Sequence, residues 1–506
     1  MTRPVADTLY GKLQGTHSGG VNVWRGIPFA APPLGSLRFR APQPPEPWSS
    51  VREALEFGPV AHQPASSSGI RFGGTQPVYS EDCLYLNVWA PAEEKESLPV
   101  MVWIHGGTFI TGAGSQPMFE GANMARAGKV IVVTLNYRLG PFGFLHLSPF
   151  GPFDSNLGLL DQIAALQWVQ DNIAAFGGDP QRVTVFGESA GSMSIAALLA
   201  MPAAKGLFAG AIMQSGAAQT LKPQQGAELA GAFLEELGLA PGGDLSLLNT
   251  APAQDILAAA ARMAYKLSGG SLSMFFQPVI DPETLPVEPV QAVADGAASG
   301  IPLMVGTNLH EGNLFFRGDR EGAGFEQSLQ ALEMLMGASN LEEIASHYPK
   351  NWEGQAALMT DLYFWDNSIA FAEQQLVHAP VWMYRFDWTI PGHPVLDKAV
   401  HGAEIYYVFN TIELLNQYGL SVSPGMAALA DRMMEAWTTF AHRGRPEVSG
   451  LHWPSYVPGE RATLIFDQNV HVQVDPDREK RKRLLSAQAK SPDASVPVTG
   501  TQTEEP

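Results

Sequence analysis

The chain of 506 residues contains one cysteine, Cys83, so no disulfide can close within it. A core of this size needs none. The opening MTRPVADTLYG lacks the apolar run of a secretion signal, and with the scarce cysteine this reads as a soluble, cytoplasmic chain. Basic charge is also scarce: 31 Lys and Arg stand against 50 Asp and Glu, a formal net charge of −19. Such a surface repels phosphate backbones and anionic lipid, which argues against nucleic-acid and membrane partners. The basic run from Arg478 to Arg483 reads as one face of a terminal helix. No apolar stretch approaches the roughly 18 residues of a membrane span.

What is present is an alternation of short apolar, β-branched runs and helical patterns. The runs include CLYLNVWAP from Cys83, PVMVWIHGG from Pro99, KVIVVTLNYRL from Lys129, RVTVFG from Arg182, GAIMQSG from Gly210, IPLMVGTN from Ile301 and VWMYRFDW from Val381. Several are apolar on both faces, as buried parallel strands are. Between them, Leu159, Ile163, Leu166, Val169 and Ile173 repeat at helical spacing and stop at Gly177-Gly178, a helix C-terminal signal. The pattern predicts an α/β protein with a mostly parallel, twisted sheet flanked by helices. Residues 1–486 are expected to form one domain, with helical insertions near 220–300 and 320–380 capping a pocket. The tail 487–506 has little to bury and reads as disordered.

In VTVFGESAGSMSIAALL, from Val183, a strand breaks at Gly187-Glu188-Ser189-Ala190-Gly191 and continues as a helix. A turn that sharp strains its central residue and tolerates only small neighbours, which is the logic of G-x-S-x-G. The serine hydroxyl is then presented at a helix N-terminus, where negative charge is favoured. WIHGGTF places Gly106-Gly107 at the end of an earlier strand, where bare backbone N–H groups can approach an oxygen. With the Ala190 N–H they make a candidate oxyanion hole, and His105 reads as structural. A serine needs a base, and the base needs an acid, in the order Ser, acid, His. Order alone leaves open every histidine beyond residue 311. A metal is not expected: His310-Glu311 is followed by Leu314 where a zinc motif needs its second histidine, and His401 with Glu404 has no third clustered ligand.

The segments GIPFAAPPLGSLRF at 26–39, SEDCLYLNVW at 80–89, WIHGGTF at 103–109, NYRLGPFGFL at 136–145, NLGLLDQIAALQWVQDNIAAFGGDPQRVTVFGESAG at 156–191 and QSG at 214–216 resemble the carboxylesterase type B family of α/β-hydrolases. This is the group of bacterial para-nitrobenzyl esterases, animal carboxylesterases and cholinesterases, and the similarity is greatest to the first. The resemblance implies an α/β-hydrolase fold and a serine carboxylesterase acting on neutral short-chain or aryl and benzyl esters. It maps the nucleophile to Ser189, the acid to Glu311 in VGTNLHEGNLFF and the base to His401 in AVHGAEIYYVF. It also places Ser215 behind the triad and Glu188 beside it. Phe109, Phe275, Phe276, Phe315 and Phe316 are candidate pocket walls. Arg138 with Asp161, and an arginine near 38–40 with Glu81, are expected as structural ion pairs, and Glu404 as a structural residue.

Two departures narrow the substrate. His62 stands where relatives have the cysteine that would bridge Cys83, so Cys83 is expected to be a free, buried thiol. The stretch GIRFGGTQPVYSEDC lacks the tryptophan that holds choline in cholinesterases, with only Phe72 nearby. No cofactor is expected, the partner is a small-molecule ester, and the chain is expected to be a monomer. A catalytically inactive binding module on the same fold would have lost a triad residue, and this chain keeps all three.

Overall fold

The computed structural model describes residues 3–64, 77–93, 97–240, 242–268, 274–316, 325, 329 and 341–488. Phe72 and the chain beyond Gln488 lie outside the described residues, as does the part of the expected 320–380 insertion before Leu341, apart from Phe325 and Leu329.

Fourteen strands are described: β1 Val5–Thr8, β2 Gly11–Gln14, β3 Thr16–Ser18, β4 Val21–Pro28, β5 Arg52–Glu53, β6 Tyr85–Pro91, β7 Leu98–Ile104, β8 Ile131–Leu135, β9 Gly178–Glu188, β10 Gly210–Gln214, β11 Leu303–Asn308, β12 Val381–Phe386, β13 Ala462–Phe466 and β14 His471–Val474. Eleven of them form one sheet in the order β14-β13-β12-β11-β10-β9-β7-β8-β6-β4-β3, and β1, β2 and β5 form a small second sheet. From β8 through β7, β9, β10, β11 and β12 to β13 every pairing is parallel, and both flanks are antiparallel.

Each apolar run quoted above falls on a strand of this sheet. The strands are apolar on both faces because helices cover both. In β7, Val100, Val102 and Ile104 enter one core, and Met101 and Trp103 enter the other. Trp103 is gripped there by Phe119, Phe186 and Phe409 at centroid distances of 4.9, 4.9 and 5.0 Å. The helix expected near 159–173 spans Leu157–Asn172 and continues as a 3₁₀ turn to Phe176, closed by Gly177 at φ 87°. The 220–300 segment holds helices Pro223–Glu236, Ala253–Ser268 and Pro289–Ala294, and the terminal helix is Arg478–Gln488. Strands β1 to β5, β13 and β14 were not anticipated. The first three are short and mostly polar, so their alternation leaves little apolar signal.

Both expected ion pairs are present. Arg138 makes a fork to Asp161, with Nε to Oδ2 at 2.8 Å and Nη2 to Oδ1 at 2.7 Å, and Arg38 makes one to Glu81. Cys83 is free and buried, and burial pushes its thiol pKa up. It lines a small cavity with His62, Arg38, Glu81 and Arg138.

Candidate active site

The carboxyl ends of the parallel strands meet in one place, where α/β sheets bind ligands. Strand β9 ends at Glu188 and the helix Ala190–Ala200 begins one residue later, so Ser189 alone makes the turn. Its φ of 56° and ψ of −123° lie in strained territory for a residue with a Cβ. The glycines around it are steric necessities. A Cβ on Gly191 would overlap the carbonyl oxygen of Ile104 in the neighbouring strand, and one on Gly187 would sit 2.6 Å from the same oxygen. The strained turn is tied down by Ser189 N–H to Gln214 O at 2.9 Å and by Met193 N–H to Ser189 O at 2.9 Å.

The loop after β7 comes up against this turn. A Cβ on Gly106 would lie 2.6 Å from Glu188 Oε2 and 2.9 Å from Ser189 Cβ, so only glycine lets the two backbones approach. Gly107 follows at φ 112°, and Thr108 and Phe109 also have positive φ. Gly106 and Ala190 therefore border the serine, and Gly107 follows Gly106 in the same loop. His105 is buried, stacked on Tyr137 at 4.4 Å, with Nδ1 2.8 Å from Gly106 O. Burial lowers its pKa to about 4, so it stays neutral and structural.

Glu311 opens the 3₁₀ turn after β11 and is fully buried. Its Oε1 accepts the Asn308 backbone N–H at 2.6 Å, and its Oε2 lies 2.7 Å from His401 Nδ1. The loop carrying His401 is held by the same strand end, through Asn308 Nδ2 to Val400 O at 2.8 Å and His310 N–H to Ala399 O at 3.0 Å. The other ring nitrogen, Nε2, is 3.1 Å from Glu188 Oε1, without hydrogen-bond alignment. Among the described residues no hydrogen bond joins Ser189 Oγ to His401. Such bonds tighten only when substrate is bound in many enzymes.

A third buried carboxylate, Glu404, sits below the histidine. It accepts from Gln214 Nε2 at 3.1 Å and Asn308 Nδ2 at 2.6 Å, and Gln214 accepts in turn from Trp437 Nε1 at 2.9 Å. Burial raises the pKa of Glu188, with His401 opposing and Glu404 and Glu311 assisting. Burial also raises that of Glu404, with Glu311 adding to it. For His401 burial acts downward, but Glu188, Glu311 and Glu404 outweigh it and hold the imidazole pKa above its ordinary value.

Ser215 lies just past β10, beside β9, at φ 53°, with its backbone N–H on Gly306 O at 2.8 Å and its buried Oγ unpartnered among the described residues. Of the five candidate pocket phenylalanines, the structure brings Phe315 to the site, 5.3 Å from the His401 ring. Phe316 is partly buried next to it in sequence. Phe109 is fully buried against Phe144 at 4.6 Å, and Phe275 and Phe276 are buried in the same hydrophobic core. Sequence reasoning missed Phe364, whose ring lies 4.7 Å from that of His401. It also missed Asn308 and Gln214 as organisers, although both stand inside motif segments already singled out.

A profile of the carboxylesterase family matches residues 2–484. The para-nitrobenzyl esterase of Bacillus subtilis is 49% identical over 487 residues, covering 96% of this chain and 99% of its own. An acetylcholinesterase of Electrophorus electricus is 31% identical over 559 aligned positions, covering 95% and 86%. Among solved structures, a thermophilic PNB esterase superposes with a TM-score of 0.91 at 49% identity, over 96% of this chain and 100% of that one. A carboxylesterase of Geobacillus stearothermophilus superposes with a TM-score of 0.83 at 39% identity, over 95% and 100%.

Proposed function

The chain belongs to the carboxylesterase family and has its α/β-hydrolase fold, and from this premise we propose that it hydrolyses neutral short-chain, aryl or benzyl esters through an acyl-enzyme on Ser189. The observation that carries the residue assignment is the 2.7 Å contact between His401 Nδ1 and Glu311 Oε2, at the strand ends that also present Ser189.

The Ser189 Oγ attacks the ester carbonyl carbon as His401 Nε2 takes its proton. The carbonyl π pair moves onto oxygen, where the N–H groups of Gly106, Gly107 and Ala190 receive it, each donor lowering the barrier by about 3 kcal/mol. When the tetrahedral adduct collapses, the bond to the alkoxy oxygen breaks and His401 protonates it, so the alcohol leaves. Water then gives its proton to His401 as its oxygen attacks the acyl carbon. The second collapse frees the acid, and the histidine's proton returns to Ser189 Oγ. Glu311 fixes the tautomer with the proton on Nδ1 and stabilises the imidazolium that forms twice per cycle. Glu188 flanks Nε2, and Phe315 borders the imidazole as an apolar wall. No cofactor enters this scheme, and the reading includes a monomeric chain acting on a small-molecule ester.

The test is covalent. A labelled organophosphate is expected to modify one residue per chain, to abolish esterase activity, and to map to Ser189. Loss of activity with the label on another serine would overturn the assignment.

A further inference from the structure

The segment Thr360–Asp366 winds as a π-helix between helices Trp352–Met359 and Asn367–Gln375. Such turns are rare and recur at functional sites, because the widened winding takes side chains and carbonyls out of α-helical register. Here the turn reaches three parts of the site. Thr360 Oγ1 accepts the N–H of Gly312, the residue after Glu311, at 2.9 Å. Tyr363 O accepts Gln219 Nε2 at 2.6 Å, from the loop that follows Ser215. Phe364 packs its ring at 4.7 Å and 44° on His401, with Phe315 stacked behind it at 6.2 Å.

The turn has a charged anchor of its own. Asp361 is buried, its Oδ2 accepting from Tyr348 OH at 2.7 Å and its Oδ1 from Lys480 Nζ at 2.9 Å. Lys480 belongs to the helix Arg478–Gln488, and its ammonium also lies 4.6 Å over the ring of Trp365. One cation from the last described helix therefore engages two residues of the π turn. Removing it would leave a buried carboxylate without its countercharge, which strongly disfavours the existing arrangement.

We propose that Asp361 and Lys480 are positioning residues for ester hydrolysis: their ion pair locks the π turn, and the locked turn holds Phe364 against the His401 imidazole. This inference rests on His401 being the base. Neither residue touches the reacting atoms. Their effect runs through the orientation of the ring, so it belongs in the chemical step and not in substrate affinity. A loss of roughly an ångström in placement costs up to about a hundredfold in rate.

The experiment uses the full chain carrying Lys480→Met, with kcat and KM on an aryl acetate expressed per Ser189 titrated by an organophosphate. We expect kcat to fall about tenfold while KM stays within about twofold, and Lys480→Arg to restore most of the loss. If Lys480→Met does not fold, Asp361→Asn, which keeps a partner for Tyr348 and leaves no unpaired carboxylate, is expected to show the same split. Wild-type kcat per titrated site in the variant that folds, whatever its Tm, overturns the proposal, and so does a Lys480→Arg enzyme as slow as Lys480→Met. Titration of a serine other than Ser189 in the wild-type enzyme would instead remove the reading on which the proposal stands.

Discussion

Glu188 Oε1 lies 3.1 Å from His401 Nε2 while Glu311 Oε2 lies 2.7 Å from Nδ1, so the imidazole stands between two buried carboxylates. One of them is the expected triad partner. The other occupies the side from which the serine proton must arrive. Both charges favour the imidazolium, and His401, as the proposed base, would work only as neutral imidazole. The active fraction therefore rises with pH as His401 loses its proton.

Glu188→Gln removes the largest charge contribution that raises the His401 pKa. The folded-state pKa then falls, and the acid limb of the kcat/KM profile is expected to move to lower pH by about one unit. The change keeps the side-chain volume that Gly106 packs against. A pH–rate profile from 5 to 9, roughly spanning the histidine range, reads the result. An acid limb that stays in place, or moves up, would show that Glu188 does not act on His401 through charge.

Glu311 is held by one donor on each oxygen, Asn308 N–H and His401 Nδ1–H. Glu311→Gln must turn an NH₂ group toward one of those donors. That either breaks the Asn308 bond or forces the wrong imidazole tautomer. The expected loss in kcat is about 10³- to 10⁴-fold, close to that of His401→Ala and Ser189→Ala, because the three act as a unit. Single-turnover acylation rates measure it directly. A Glu311→Gln enzyme within about tenfold of wild type would move the search for the acid to Glu188 or Glu404.

The sharpness of the serine turn yields a stability prediction. Gly191→Ala drives a methyl group into the backbone oxygen of Ile104, which cannot move without tearing β7 from β9. The expected destabilisation is about 3 kcal/mol or more. Gly459→Ala is the control, since nothing lies within 4 Å of the added carbon and its φ is ordinary. It is expected to change stability by no more than about 0.5 kcal/mol. Urea midpoints of the two variants and wild type decide the matter, and equal midpoints would mean that the two strands can part more cheaply than this packing implies.

These residues also show what a sequence can disclose. The serine turn was legible because its determinants are neighbours: two glycines, a strand before and a helix after. Glu311 and His401 are 90 residues apart, and nothing local distinguishes His401 from the other histidines beyond residue 311. Only resemblance selected them. The Glu404, Gln214, Asn308 and Trp437 network joins four separate segments, and each looks like an isolated polar or aromatic residue in its own stretch. Phe364 was hidden for another reason. It sits on a π turn, and a period of 3.6 residues misplaces every side chain beyond the bulge. Phe109, close to Gly106-Gly107 in sequence, packs its ring on Phe144, a contact that no local pattern announces.

The final prediction concerns the alcohol half of the substrate. The chain carries a net charge of −19, so a cationic ester is drawn toward it from a distance. On arrival that cation needs a platform or a counter-ion. The sequence from 69 to 83 has no tryptophan to supply the platform. Glu188, the nearest buried carboxylate to the serine turn, already faces His401 at 3.1 Å, so its charge is engaged there and it is a poor counter-ion for substrate. A neutral aryl or benzyl ester meets neither problem, and burying its ring against walls such as Phe315 gains about 25 cal/mol per Å². We expect kcat/KM for an aryl or benzyl ester to exceed that for a choline ester of the same acyl group by at least about tenfold, or about 1.4 kcal/mol in transition-state binding. The comparison is made at fixed ionic strength, because lowering the salt strengthens the long-range attraction for the cation and narrows the gap without changing the site. Equal values at about 0.15 M salt, where exposed charges more than about 8 Å apart are largely screened, would mean that a cation site exists beside Ser189 after all, with Glu188 as its charge.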